Sequence, residues 1–508
     1  MRMTDTTIAP SRGQPAQLGY DDLPRLIALM SGDEKHATSA DSTLDVLWIL
    51  YDRVLNVTPA TIDDPDRDRF LLSKGHGPMA YYAILAAKRF IPIETLATFG
   101  AYGSSLGHHP DRMLISGVEI SSGSLGHGLP IGVGLALGLR TQGRLSRVVV
   151  LVGDAGLAGR HRAALRDRGL GRGHGGWARP RGVGDRADRG ALRPAERRRR
   201  RGGGGRMTAT TTADTMRDRF AHTTSTLLDE NPRLVVVMAD IGGAGLVRAK
   251  RRHPDRIINV GIREQLMISV ASGLALSGMR PIAHSYTPFL IERPFEQVKL
   301  DLAHQGVGAI LVSVGASYDA SDSGRTHQAP EDVALISTLP DWTIHVPGHP
   351  DEAETLLRDA VADEGNVYLR LAAQSNAAPM PTQPGRFHAA RRGSRATVIA
   401  VGPMFDRTLE ATSDLDVTVL YATTVRPFDA ETLRAELPAP AVALVEPYLQ
   451  GTSAMWVSEA LRDTPHRLLS IGVRRAENRH YGTPQEHDEA HCLDATSLRH
   501  RIDQFLGQ

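Results

Sequence analysis

The chain has 508 residues, is 41% hydrophobic and carries a formal net charge of +2. That length predicts two to four domains with substantial cores, and a lone cysteine, Cys492, excludes an internal disulfide and fits a reducing compartment. The polar stretch 1–19 and the lack of any long apolar run argue against a secretory leader or a membrane span, so a cytoplasmic protein is expected.

The charge is unevenly spread. Residues 159–206 hold 16 Arg, no Lys and four acids, a local +12 that leaves −10 for the rest, the balance of an acidic enzyme.

In chain order, hydrophobic spacing of three and four residues predicts helices over Asp45–Tyr51 and Ile84–Phe90. Between them a short apolar strand, Phe70–Ser73, runs into His76, flanked by Gly75 and Gly77, which let the backbone approach a ligand closely. Taken alone, a His in a Gly turn is most often a surface residue. His109 precedes Pro110-Asp111 in a second such turn. A third, Gly123-Ser124-Leu125-Gly126-His127-Gly128, leads into a Gly/Ala-rich helix over Ile131–Leu139, bare backbone suited to phosphates. Arg147–Val152 is a continuous apolar run, read as a buried parallel strand, and it ends in Gly153-Asp154, where open α/β sheets bind ligands.

After Leu157 the text changes. Residues 159–206 contain four Leu or Val and no Ile, too little apolar surface to offset the entropy of ordering. Three origins fit: a nucleic-acid-binding arm, a linker, or a segment translated out of frame. The third is preferred. Gly173-His174-Gly175-Gly176-Trp177, moved by one base, can encode an apolar Val-Thr-Val-Val strand, and a well-formed unit opens at Met207.

In that unit Leu234–Met238 and Ile257–Val260 are buried strands, and Gly261-Ile262-Arg263-Glu264 turns the second into a small-residue helix, Leu266–Leu276. A carboxylate in a first helical turn is held by the helix N-terminus; locally, a helix-start Glu is commonplace. Tyr286 and Phe289 fall within the stretch Pro281–Phe289, a spacing commoner in cores than in binding walls. Ile310–Val314 leads to a turn with Asp322, Arg325 and His327, and Val367–Leu369 ends in Arg370. Ala377–Arg395 reads as a Pro-rich linker. Strands at Ala396–Val401, Val417–Tyr421 and Ala441–Val445 then predict a small, mostly parallel sheet.

Together these strings resemble the transketolase family of thiamine-diphosphate enzymes. The segments Asp66–His76 (DRDRFLLSKGH), 107–111, 121–129, 153–154, Val260–Gln265 (VGIREQ), 321–328 and the TTVRPFD and VEPYLQG strings carry the resemblance, over roughly 20–157 and 210–508. It implies an α/β fold of three domains with mainly parallel sheets: residues 1–158 a truncated diphosphate-binding domain, 159–206 the junction, 207–378 the pyrimidine domain, 379–395 a linker and 396–508 the C-terminal domain. It implies transfer of a two-carbon ketol unit between sugar phosphates, with thiamine diphosphate and Mg²⁺ as cofactors, in a homodimer that shares the cofactor between protomers. Glu264 matches the Glu that drives the aminopyrimidine to its imino form. His36, His76, His109 and His327 match proton-moving and hydroxyl-holding histidines, although around His36 the family's glycines are replaced by Lys35, Thr38 and Ser39. Gly123, Ser124, Leu125, Gly126, His127, Gly153, Asp154, Tyr286 and Phe289 match cofactor contacts, with Asp154 a Mg²⁺ ligand. Arg325, Arg370 and Asp322 fall at substrate positions. The family's second Mg²⁺ ligand, an Asn some thirty residues after the Asp, is missing, since no Asn occurs between Asn56 and Asn231. An inactive remnant and a 1-deoxyxylulose-5-phosphate synthase-like enzyme are therefore the alternatives, with nucleic-acid binding through residues 159–206 given little weight.

Overall fold

The structure, a computed structural model, describes residues 18–31, 37–74, 77–153, 214–477 and 479–507. His36, His76, Asp154 and the whole Arg-rich junction lie outside the described residues.

The first unit has helices α1 (Ala37–Ile49), α2 (Pro78–Ala87) and α3 (Gly128–Thr141) around two parallel strands, β1 (Arg69–Ser73) and β2 (Val148–Val152), paired Arg69 to Val148 through Ser73 to Val152. Asp68 explains this register. Its buried carboxylate accepts the backbone N–H groups of Asn56 and Arg147, each at 2.8 Å, and pairs with the Arg147 guanidinium at 2.5 Å. The acid of the DRDRF string thus clamps the starts of both strands.

Two expectations change here. The helix read over Ile84–Phe90 begins earlier, with Pro78 at its first turn after Gly77 (φ 88°), and ends before Arg89 (φ 66°). All ten of its residues are buried, so no polar face marks its limits in the sequence. The strand expected to be fully buried, β2, is half-exposed along its length, because among the described residues β1 is its one neighbour.

The second sheet has seven strands in the order β12-β7-β8-β6-β5-β3-β4. These are β3 (Leu234–Met238), β4 (Ile257–Asn259), β5 (Arg280–Tyr286), β6 (Ile310–Val314), β7 (Trp342–His345), β8 (Asn366–Arg370) and β12 (Thr424–Arg426), all parallel except β12. Apolar runs such as LVVVM are buried at every position, as strands covered on both faces require. Helix α4 (Met216–Glu230) precedes β3, and α5 (Glu264–Leu276) joins β4 to β5.

A third sheet orders β14 (Arg467–Val473), β13 (Ala441–Leu449), β10 (Thr397–Val401), β11 (Thr418–Ala422) and β9 (His388–Arg391). It is parallel except for β9, which pairs antiparallel with β11. The stretch read as a linker therefore contains a strand, hidden in the sequence by its basic ends. Because β12 crosses to the edge of the second sheet, one apolar core runs from Val235 and Ile344 to Val442 and Leu444.

The first unit meets the second through α3 and α5. A side chain at Gly134 would overlap the Val270 carbonyl, one at Gly273 the Ile131 carbonyl, and one at Gly138 the Ser277 hydroxyl. Gly134 and Gly138 of α3, with Gly273 of α5, thus let the two helices cross closely.

Candidate active site

Gly261 (φ 74°) turns the chain after β4, and Arg263, still extended, hands over to Glu264 as the first residue of α5. The Glu264 carboxylate is 3% exposed, with Val260 and Leu266 buried beside it in sequence. Arg293 Nη1 donates to Glu264 Oε1 at 2.7 Å. The same guanidinium lies over the Phe289 ring, 4.1 Å from its centroid. Phe289 belongs to a wide turn, Pro288–Glu292, that follows β5. The His327 ring stands edge-on to Phe289 at 5.1 Å, and Tyr286 lies 6.3 Å from both rings. Three residues singled out in the sequence, Tyr286, Phe289 and His327, therefore meet, and Arg293 joins them to a fourth, Glu264, although they come from separate parts of one sheet and its connections. A buried carboxylate beside an aromatic face can grip a flat heterocycle that carries N–H donors. The half-buried imidazole of His327, bonded through Nδ1 to Thr326 Oγ1 at 3.0 Å, is placed to handle a proton at the ring edge.

On its far side Tyr286 lines an open cleft with Val314 and Gly315, at the carboxyl ends of β5 and β6, and with Arg217, Asp319 and Leu371. Such a crevice is where parallel sheets place ligands. Glu292, next to Arg293, has its carboxyl pushed up to about 7 by burial and by the charge of Glu331, against the opposing pull of Arg325.

The Gly-rich loop of the first unit is fastened to the second. Ser124 Oγ donates to Glu296 at 2.8 Å, and Ser121 exchanges two hydrogen bonds with the Gln305 amide, at 2.8 and 2.7 Å. His127 shares a proton between Nδ1 and Asp301 Oδ1 at 2.6 Å, while Asp301 Oδ2 accepts from Ser269 Oγ of α5 at 2.6 Å. Burial works against the His127 imidazolium, but the hydrogen bond and charge of Asp301, with Glu296, outweigh it and hold the ring above its ordinary value. Gly123 (φ 134°) lies against the His109 ring, where an added Cβ would come within 2.9 Å of Cγ. Gly126 (φ 87°) makes the following turn, and Leu125 points outward, 54% exposed.

Sequence reasoning passed over Arg293, Gln297, Asp301 and Gln305. The last three recur every fourth residue, and all are buried. That polar stripe was the available signal.

The structure does not gather the remaining residues into this cluster. Asp322 is exposed and accepts from Ser323 Oγ at 3.2 Å. Arg325 donates to Glu331 and to the Gln328 carbonyl, each at 2.8 Å. Arg370 is 1% exposed, with Nε on Asp332 at 2.7 Å and Nη2 on Ser317 Oγ at 2.6 Å, so it braces the carboxyl end of β8 against Asp332 and the Tyr448 ring. Gly153 ends β2, its N–H on the Ser73 carbonyl at 3.4 Å. Among the described residues no group of three His, Cys, Asp or Glu is arranged to hold a metal, and no helix is long and apolar enough to cross a membrane.

A buried helix-start carboxylate joined through Arg293 to an aromatic ring, on a parallel sheet coupled to a Gly-rich loop, fits the class of thiamine-diphosphate-binding α/β proteins. Residues 213–377 match the transketolase pyrimidine binding domain, and residues 28–144 the transketolase thiamine diphosphate binding domain. An uncharacterized 33.6 kDa protein in the fasciation locus of Rhodococcoides fascians is 54% identical over 292 residues, 57% of this chain and 94% of that protein. Ferredoxin fas2 of the same organism is 62% identical over 144 residues, 28% of this chain and 47% of the relative, so the chain spans about half of that protein. The 6-deoxy-6-sulfo-D-fructose transketolase subunit SqwH of Clostridium sp. (strain MSTE9) is 31% identical over 272 residues, 51% of this chain and 84% of that subunit. Among solved structures, a split gene transketolase described as an inactive beta4 tetramer covers 57% of this chain and 98% of its own, with TM-score 0.51 and 25% identity. Transketolase from Campylobacter jejuni covers 96% of this chain and 100% of its own at TM-score 0.71 and 14% identity, a likeness of fold. The chain belongs to the transketolase family.

Proposed function

We propose that this protein transfers a two-carbon ketol unit from a ketose phosphate to an aldose phosphate, using thiamine diphosphate. The observation that carries the reading is the buried Glu264 carboxylate, which the Arg293 guanidinium joins to the Phe289 ring. The residues present fit the pyrimidine half of the cofactor: Phe289 and Tyr286 supply aromatic faces and Glu264 a carboxylate for a ring nitrogen. Bound there, the cofactor supplies the carbanion chemistry. Glu264 then holds and exchanges a proton at that ring nitrogen. His327, with His109, His76 and His36, positions substrate hydroxyls and moves protons near neutral pH. Gly123, Ser124, Leu125, Gly126, His127 and Gly153 form the diphosphate side, with Asp154 as ligand to Mg²⁺. Arg325 and Asp322 stand at the substrate turn, and Arg370 acts from beneath it as a brace.

The proposed division is 1–158, 159–206, 207–378, 379–395 and 396–508, assembled in the cytoplasm as a homodimer that shares the cofactor between protomers. The 33.6 kDa relative, matched over 292 residues, is close in length to the part that opens at Met207. A fusion of two adjacent coding units across an out-of-frame junction accounts for both. Sequencing the DNA across residues 159–206 tests that origin: a shifted frame without apolar strands and without an Asn rejects it.

A second reading, an inactive remnant, is favoured by the missing Asn. Titration calorimetry with thiamine diphosphate and Mg²⁺ separates the two. A saturable heat, with ketol transfer to an aldose phosphate, is the expected result; the absence of any saturable heat supports the remnant, which cannot hold Mg²⁺.

A further inference from the structure

Arg293 does something no part of the ketol-transfer reading requires. Its guanidinium is flat, cationic and rich in N–H donors. Its Cζ lies over the Phe289 ring, 4.1 Å from the centroid, while Nη1 donates to Glu264 Oε1 at 2.7 Å. An aminopyrimidine bound by these two residues makes the same two contacts: one planar face on an aromatic ring, and one ring-edge nitrogen on a carboxylate. Both groups cannot hold them together. The Arg293 side chain is 44% exposed whereas that of Glu264 is 4% exposed, so the arginine can swing outward and the carboxylate cannot follow. Its backbone stays in place, because Gln265 Nε2 donates to the Arg293 carbonyl at 3.2 Å.

We propose that Arg293 is a displaceable stand-in for the cofactor's aminopyrimidine, a residue that keeps the Glu264 carboxylate paired and sets how tightly the cofactor must bind to take its place. The inference rests on the thiamine-diphosphate reading above. A buried carboxylate without a partner is costly, so the stand-in stabilises the fold when the heterocycle is elsewhere. Every cofactor molecule that binds gives back that stabilisation. The residue therefore raises the dissociation constant and discriminates against fragments that bind too weakly to expel it.

Two measurements on the full chain test this. In the first, thiamine diphosphate with Mg²⁺ is titrated by calorimetry into the unaltered chain and into Arg293→Gln, which keeps an amide NH₂ donor but loses the charge and the guanidinium over the ring. The variant should bind about tenfold more tightly, a change of about 1.4 kcal/mol, and melt at a lower temperature without ligand. Equal or weaker binding by the variant, with the unaltered chain still binding, overturns the stand-in and leaves the thiamine-diphosphate reading intact. Absence of binding by both overturns that reading and the inference with it. In the second, phenylglyoxal modification of Arg293 is followed by mass spectrometry on the unaltered chain, so it does not depend on the variant folding. Cofactor should speed modification several-fold by expelling the guanidinium; unchanged or slower modification with saturating cofactor overturns the proposal.

Discussion

His127 acts on a partner that lies 174 residues away in the chain, and its protonation is part of the fold. Its folded value stands above the ordinary 6.5, so protonation favours the folded state. The bond to Asp301 contributes fully below about pH 6.5 and is lost as pH rises through the folded value. The melting temperature should therefore fall over that range, and His127→Gln should flatten the fall; the measurement is a set of melts at stepped pH. Glu292 acts in the same direction by another route. Its carboxyl is raised to about 7, so the folded state keeps a proton that the unfolded chain releases from about 4.5 upward. Stability is lost as pH rises between those values, and Glu292→Gln should gain in melting temperature across the window and hold that gain above pH 7. Glu264→Gln removes the charge that both Arg293 and a cofactor ring nitrogen use. It should weaken thiamine-diphosphate binding at least tenfold, about 1.4 kcal/mol or more, by titration calorimetry.

At the scale of elements, the crossing of α3 and α5 decides whether the Gly-rich loop reaches the second unit. The neighbours that crowd Gly134 and Gly273 are backbone carbonyls, which have no flexible end to move aside. Gly134→Ala should cost about 1–3 kcal/mol or more and lower the melting temperature, whereas Gly103→Ala, with nothing within 4 Å, should leave it unchanged. A glycine repeat on a helix reads equally as a ligand seat or as a crossing, since both need bare backbone. Strand identities were legible because short continuous apolar runs such as LVVVM, bounded by turn residues, mark strands covered on both faces. The start of α2 and the strand β9 were not: one is buried all round, and the other is a short edge strand with basic residues.

At the scale of the whole molecule, the second and third sheets share a core, and Arg370 sits under it. Replacing Arg370 by Met leaves Asp332 buried without its cation, which should cost about 3–5 kcal/mol. Because β12 and the continuous core tie the two sheets, hydrogen exchange should speed together in β6 and β13 rather than in β8 alone.

The sequence by itself determined the α/β class, the order of strands and helices, and the local strings that mark Glu264, Tyr286, Phe289 and His327, since periodicity and turn chemistry act over a few residues. The tertiary structure alone decided what each polar side chain faces: Arg293 on Glu264, Asp301 on His127, Asp332 on Arg370. Those pairs join residues 29 to 174 positions apart, and no local rule links charges that meet only when sheets and helices close around them.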